Sequence, residues 1–440
     1  MTQPLSVVWL RRDLRLHDNA ALYHALTSGR PVLPVFIFDR TILDALDDRQ
    51  DRRVEFIHQQ IEELQNELAR MGSGMVVRYG TPLSVWQELL QEYPIEEVFT
   101  NHDYEVYAKE RDAQIAGLLA EAGIPFTTAK DTAIFDHNEV LTGGQTPYTV
   151  FTPYSRRWHD KLNDFYLKSY PTETYFNHFV KVPNRMPVPS LADMNFAPLG
   201  ESFPAMTVSD SLLQHYKDTR DLPAKPGTSE LSIHLRFGTI SIRDLARQAR
   251  ESGSATFLNE LCWRDFYFQV LHHFPHVEKQ SFRREYDNIP WRNNEEEFEK
   301  WCRGETGYPL VDAGMRQLNT IGWMHNRVRM VTASFLCKHL LIDWRWGEAY
   351  FARKLRDYDL SANNGGWQWA AGSGTDAAPY FRVFNPTAQA EKFDPKGEYI
   401  RKWVPEFNSL RYTRPMVDHA MARQRAIDTY KRGLKGEGKE

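Results

Sequence analysis

Residues 6–38 read SVVWLRRDLRLHDNAALYHALTSGRPVLPVFIF, and this stretch decides the fold of the N-terminal region. Ser6 to Leu10 is a short apolar run, a polar turn follows, and a helical stretch lies around Ala20 to Thr27. Val32 to Phe38 is a second apolar run. Strand, helix and strand in that rhythm form a βαβ crossover, which joins parallel strands. A long helix comes next, with Val54, Ile57, Ile61, Leu64, Leu68 and Met71 at the three-and-four spacing of one buried face. Met75 to Tyr79 and Glu97 to Thr100 supply two more strands with helices after each. Residues 1–130 are therefore expected to form an α/β domain with a doubly wound parallel sheet. A GxGxxG fingerprint is absent. A ligand in such a sheet is expected at the carboxyl ends of the strands, near Phe38-Asp39 and Asn101 to Asp103.

A chain of 440 residues is long for one core. Prolines 171, 183, 187, 189, 198 and 204 punctuate a segment without sustained periodicity, so residues 131–206 are read as an interdomain linker. Residues 207–440 are expected to be a large all-α domain, because Phe257 to Phe274, Trp323 to Ile342 and Trp346 to Leu355 carry helix-period apolar residues. Met416 to Glu440 reads as one amphipathic helix and a frayed tail.

Hydrophobic residues at 42% and charged residues at 25% exclude wholesale disorder. A formal charge of −4 gives no global basic field, so nucleic acid would have to be met by a local patch. Cys262, Cys302 and Cys337 form no CxxC pair, which points to reduced, inert thiols and no metal site. The start lacks the apolar run of a signal peptide, and no stretch reaches about 18 uncharged apolar residues. A cytoplasmic protein without a membrane span is expected. Nine of the 12 tryptophans fall between Trp263 and Trp403. That crowding invites a redox or stacking role in the helical half.

Four segments of this half hold polar groups that a bland helical domain would not need. Gly227-Thr228-Ser229-Glu230-Leu231-Ser232 clusters hydroxyls and backbone N–H groups where a helix starts, which suits a phosphate. An ordinary capped helix, with Thr228 or Ser229 as N-cap, reads equally well. Glu260, Trp263 and Arg264 share one helix face, as a site or as a surface Glu–Arg pair. In Gly322 to Met330, Asn326, Arg329 and Met330 line one face of a helix read as buried, where polar groups need partners or a ligand. Finally, Asp357, Asp359, Asn363, Asn364, Gly365, Gly366, Trp367 and Trp369 suggest a loop gripping a planar aromatic ligand.

The stretches WLRRDLRLHDN (9–19), GWMHNRVRM (322–330) and ANNGGWQWAAGSGTDAAPYFRVFNP (362–386) resemble the photolyase/cryptochrome family. Within it they are most similar to class I cyclobutane pyrimidine dimer photolyases, and the resemblance runs from the N-terminus to Glu406. It implies a helical FAD-binding domain over 207–440 and an antenna-type domain over 1–130. It implies a light-dependent DNA repair enzyme in which photoexcited reduced FAD passes an electron to a flipped-out dimer. Thr228, Ser229 and Ser232, with Tyr216, match the stretch that holds the FAD phosphates. Arg264, Asn326, Arg329, Asp357, Asp359 and Asn363 match polar contacts around the flavin. Trp263 and Trp369 match the aromatic walls of the dimer pocket, Glu260 and Asn326 its hydrogen-bonding groups, and Met330 a packing contact.

The same resemblance assigns Trp367, Trp344 and Trp291 to an electron-transfer chain, and Arg220, Arg327 and Arg382 to the DNA backbone beside the lesion. Folate-binding members carry an Asn-Glu pair where this chain has Tyr107-Ala108. Phe38, Asp39, Arg53 and Asp103 instead resemble positions of deazaflavin-binding members, so deazaflavin or FMN is expected over folate as a second chromophore. The partner is DNA containing cyclobutane pyrimidine dimers, and the protein is expected to act as a monomer. The alternative is a cryptochrome-type blue-light photoreceptor. Cryptochromes commonly replace the Asn363 equivalent with an acid or a cysteine and add a long tail, whereas this chain has asparagine and ends a short way past Glu406.

Overall fold

The computed structural model describes residues 3–436, which gather into two compact units. One unit takes the residues up to 139 together with 158–207 and 230–251. The other takes 140–157, 208–229 and the residues from 252 onward.

The first unit is built on five parallel strands: β1 (Leu5–Leu10), β2 (Val32–Asp39), β3 (Val76–Gly80), β4 (Ile95–Asn101) and β5 (Phe126–Ala129). Their order across the sheet is β3-β2-β1-β4-β5, the doubly wound arrangement the sequence pattern implies. Every residue of β1 and β2 is buried, as expected of strands with helices over both faces. Alternate residues divide between the two cores. Val8 and Leu10 pack with Leu22, Phe36 and Leu64, while Val7 and Trp9 pack with Val35, Trp86 and Leu119. The fifth strand is not foreseen from sequence. Phe126–Ala129 is four residues long, polar at Thr127 and Thr128 and exposed there, so it leaves no apolar run to read.

The strand order reverses between β1 and β4, and a buried polar network sits where they end. The Asn101 side chain donates to Asp13 (2.6 Å) and to the Asn19 side chain (2.9 Å). Asn19 in turn caps the helix Ala20–Leu26 by accepting from the Leu22 amide (3.1 Å). Nearby, Arg15 and Arg243 both reach Asp131, at 2.6 and 2.8 Å, and Arg243 also holds Asp18 at 3.0 Å. Burial alone would raise the Asp131 carboxyl, but the guanidinium groups of Arg15 and Arg243 outweigh it and hold it down at about 2.

The second unit is helical among its described residues. Its principal helices are Ala255–His273, Pro309–Ile321, Asn326–Ser334, Trp344–Lys354, Leu360–Ala371 and His419–Leu434. The helix expected over Trp323 to Ile342 starts later and ends earlier, running from Asn326 to His339. His325 caps Asn326–Ser334 through its ring nitrogen, and a π-helical turn, Phe335–His339, follows. The terminal helix expected from Met416 onward runs from His419 to Leu434, and residues 437–440 of that expectation lie outside the described residues. Cys262 and Cys337 are buried, and burial pushes the half-buried Cys302 thiol up to about 12. Among the described residues no helix is long and apolar enough to cross a membrane.

Replacing Asp131 with Asn leaves two buried guanidinium groups short of a counter-charge. Urea unfolding at neutral pH should show a loss of about 3–5 kcal/mol. The folded carboxyl titrates below its unfolded value of about 3.9. Its contribution is therefore complete above that value and disappears as the pH falls towards about 2. The gap between variant and parent should close over that window.

Candidate functional site

A cavity of about 200 Å³ in the helical unit brings together Asn326, Arg329, Met330, Asp357, Asp359 and Asn363. Asn326, Arg329 and Met330 sit at i, i+3 and i+4 on the helix Asn326–Ser334, so one face presents all three. Asp357 and Asp359 lie in the segment before the helix Leu360–Ala371, and Asn363 lies in its first turn. Arg329 donates to Asp357 at 2.8 Å and to the Met324 carbonyl at 2.7 Å. The Asp357 side chain is 2% exposed. Its second oxygen, Oδ1, is buried without a hydrogen-bond partner. A buried carboxylate oxygen in that state calls for a donor from a ligand.

Asp359 accepts from the amides of Ser361 (3.1 Å) and Ala362 (3.3 Å), so it also caps the helix that carries Asn363. The Asn363 amide nitrogen donates to the Glu348 carboxyl at 2.8 Å and to the Glu348 carbonyl at 3.2 Å. These contacts fix which end of the amide is the donor. Burial raises the Glu348 carboxyl, and the bond from Asn363 opposes that rise.

The remaining predicted residues are distributed around this centre. Glu260, Trp263 and Arg264 share the helix Ala255–His273. Trp263 stacks face to face on Phe151, with ring centres 3.5 Å apart, and leans on Tyr267, which itself lines the cavity. Arg264 lies over the Phe268 ring at 4.5 Å. Glu260 is ion-paired with Arg220, and Tyr216 packs edge-on against Phe257. Arg327 holds Asp221 at 2.9 Å and covers the Phe393 ring, whereas Arg382 is exposed without a carboxylate partner among the described residues. Trp367 and Trp344 are buried in one hydrophobic cluster, with Trp291 and Trp369 half-buried against it.

Two expectations are corrected. The stretch ANNGGWQW is helical, not a loop, since Leu360–Ala371 runs through both glycines. Gly365 is there for contact: a Cβ would stand 2.2 Å from the Tyr267 ring. Neither Thr228 nor Ser229 caps a helix. The chain turns through Glu230 in a left-handed conformation, and the six-residue helix Ser232–Phe237 has Leu231 at its N-cap. Thr228 and Ser229 belong to the second unit and Ser232 to the first.

In the α/β unit, Phe38, Asp39 and Asp103 line a separate cavity of about 170 Å³ with Trp9, Tyr107 and Arg111, at the carboxyl ends of β1, β2 and β4. Tyr107 donates to Asp39 at 2.5 Å. Arg12 holds Asp103 at 3.2 Å. Arg53 does not line this cavity: it pairs with Asp51 at the start of the helix Arg52–Arg70.

The family described as "DNA photolyase" matches residues 6–174, and the family described as "FAD binding domain of DNA photolyase" matches residues 257–411. A deoxyribodipyrimidine photo-lyase of Alkalihalophilus pseudofirmus is 36% identical, covering 97% of this chain and 98% of that protein. The chain belongs to the DNA photolyase family. Among solved structures, a class III photolyase from Agrobacterium tumefaciens superposes with a TM-score of 0.87 at 32% identity, covering 99% of this chain and 98% of that one. An archaeal photolyase from Sulfolobus tokodaii, solved with two FAD molecules, gives 0.79 at 33% identity, covering 97% and 99%.

Sequence reasoning missed three residues around this cavity. Tyr267 continues the Glu260, Trp263 and Arg264 face at i+7, a spacing that could have found it, whereas nothing in the pattern around Glu348 sets it apart. Phe151 lies far along the chain from Trp263, so their stacking leaves no periodic trace. Gly365 was a further signal, as a glycine inside a helix implies a close neighbour. Gly365→Ala must displace Tyr267. Thermal unfolding should show a loss of about 1–3 kcal/mol, while the adjacent Gly366→Ala, with open space at its Cβ, should be neutral or stabilising.

Proposed function

We propose that the chain is a light-dependent DNA repair enzyme with deoxyribodipyrimidine photo-lyase activity, acting as a cytoplasmic monomer on cyclobutane pyrimidine dimers. The observation that carries this reading is the convergence of Asn326, Arg329, Met330, Asp357, Asp359 and Asn363 on one cavity within the region that matches an FAD-binding domain. The curated relatives bearing the deoxyribodipyrimidine photo-lyase name support the substrate class.

The donor set fits a flavin. Asp357 offers a buried acceptor with no protein partner, Arg329 offers a cation, and Asn363 a neutral amide held by Glu348. Reduced FAD, when bound and photoexcited, supplies the electron that opens the cyclobutane ring and takes it back afterwards. Arg329, Asp357, Asp359 and Asn363 would hold its ring system, with Arg264 and Asn326 as further polar contacts. Thr228, Ser229 and Tyr216 would serve its phosphate end.

The dimer must leave the duplex to reach this cavity, and a poorly stacked lesion costs less to flip. Trp263 and Trp369 would stack on it, each such contact being worth about 1–3 kcal/mol. Glu260 and Asn326 would hydrogen-bond it, and Met330 would pack against it. Arg220, Arg327 and Arg382 would contact the backbone around the lesion, which positions the protein without reading sequence. We assign the Phe38 cavity to a second chromophore, deazaflavin or FMN in preference to folate. Its place at the strand ends and the second FAD of the archaeal photolyase support that assignment.

Purified enzyme given both lesions under blue light should repair cyclobutane dimers and leave six-four photoproducts untouched. Asn326 and Met330 stand where six-four enzymes place histidines, so the cavity has no evident acid for that lesion. Repair of the six-four product alone would overturn the assignment.

Trp367, Trp344 and Trp291 would relay an electron from the surface to oxidised FAD. Trp291→Phe should slow or abolish photoreduction in transient absorption, while repair by chemically reduced enzyme persists. Unchanged photoreduction would remove Trp291 from the relay.

A further inference from the structure

The α/β unit holds another cavity, of about 310 Å³, that shares no lining residue with the Phe38 cavity. Its floor is Ala133 and Ile134, and its walls include Tyr23, Tyr166 and Tyr170. The Tyr23 and Tyr170 rings are 5.4 Å apart. The Tyr166 ring carries the ammonium groups of Lys130 and Lys161 at 5.3 and 5.5 Å. Phe165 extends this aromatic surface into solvent at 78% exposure. None of the hydroxyls of Tyr23, Tyr166 and Tyr170 has a hydrogen-bond partner among the described residues.

The charge around this cavity is unbalanced. Arg243 closes one side, but Asp18 and Asp131 already neutralise it. Lys130 pairs with Glu139 at 2.5 Å. Lys161 donates to the Glu139 carbonyl at 2.6 Å, and exposed Lys168 on the rim has no carboxylate partner among the described residues. The Lys168 ammonium group beside aromatic walls suits a ligand that is planar at one end and anionic at the other. The cavity sits at the lower end of the ligand-site range of about 300–1,000 Å³, which limits that ligand to mononucleotide size.

We propose that this cavity binds a mononucleotide, with the base on the tyrosine rings and the phosphate on Lys168. The assignment stands apart from the repair reading and from the second chromophore. The test is calorimetric titration of the full-length, FAD-loaded protein with AMP, so that the flavin's own adenine site is filled. One AMP should bind per chain, and adenosine or inorganic phosphate alone should bind more weakly. Tyr166→Ala and Lys168→Glu should each weaken AMP by roughly tenfold or more. Arg111→Ala, which alters the Phe38 cavity, should leave AMP affinity unchanged. Lys168 is exposed, so its variant tests charge without disturbing the core; FAD content and melting temperature check both variants. The assignment is overturned if AMP does not bind, if both variants bind it as the parent does, if Arg111→Ala abolishes binding, or if inorganic phosphate binds as tightly as AMP.

Discussion

The ion pair between half-buried Arg329 and buried Asp357 is the constraint around which the cavity of the helical unit is organised. The Asp357 side chain is 2% exposed, and the Arg329 guanidinium meets it at 2.8 Å. The pair joins the helix Asn326–Ser334 to the segment that leads into Leu360–Ala371, and so sets the width of the cavity between them. Only one carboxylate oxygen is used. The fold therefore carries an unmet acceptor at the site where a polar ring edge would satisfy it. Glu348, on the helix Trp344–Lys354, has a quieter role: its hold on the Asn363 amide orients a neutral group beside that same space.

What the sequence made legible follows from periodicity. Asn326, Arg329 and Met330 could be placed on one face because a helix repeats at three and four residues, and all three line the cavity. Strands β1 and β2 were readable because burial on both faces demands unbroken apolar runs, while β3 and β4 kept shorter ones, Val76-Val77 and Val98-Phe99. β5 was not, because an edge strand with exposed threonines has no such demand placed on it.

The misreadings share a physical origin too. Adjacent glycines in ANNGGWQW look like a flexible turn when only conformational freedom is considered. In the structure Gly365 is chosen for volume: Tyr267 occupies the place where a side chain would be. The hydroxyls of Thr228 and Ser229 look like caps by residue type, but a left-handed Glu230 intervenes before the helix begins. The WLRRDLRLHDN motif shows the converse. Asp13, Arg15, Asp18 and Asn19 are all buried, and their bonds fasten the first helix and the ends of β1 and β4. A motif that marks the family here serves the scaffold.

Two of the arginines proposed to meet DNA are already ion-paired in this acidic chain. Arg220 is held by Glu260 and Arg327 by Asp221, and all four side chains remain partly exposed. Pairs of that kind are worth about 0–1 kcal/mol in water. Exchanging a carboxylate for a phosphate therefore costs little, while each phosphate gained releases a counterion. The two pairs are not equivalent in what they leave behind. Asp221 is the more exposed carboxylate and water can take over its solvation. Glu260 is less exposed, and burial already raises its carboxyl, so losing Arg220 favours its protonated form.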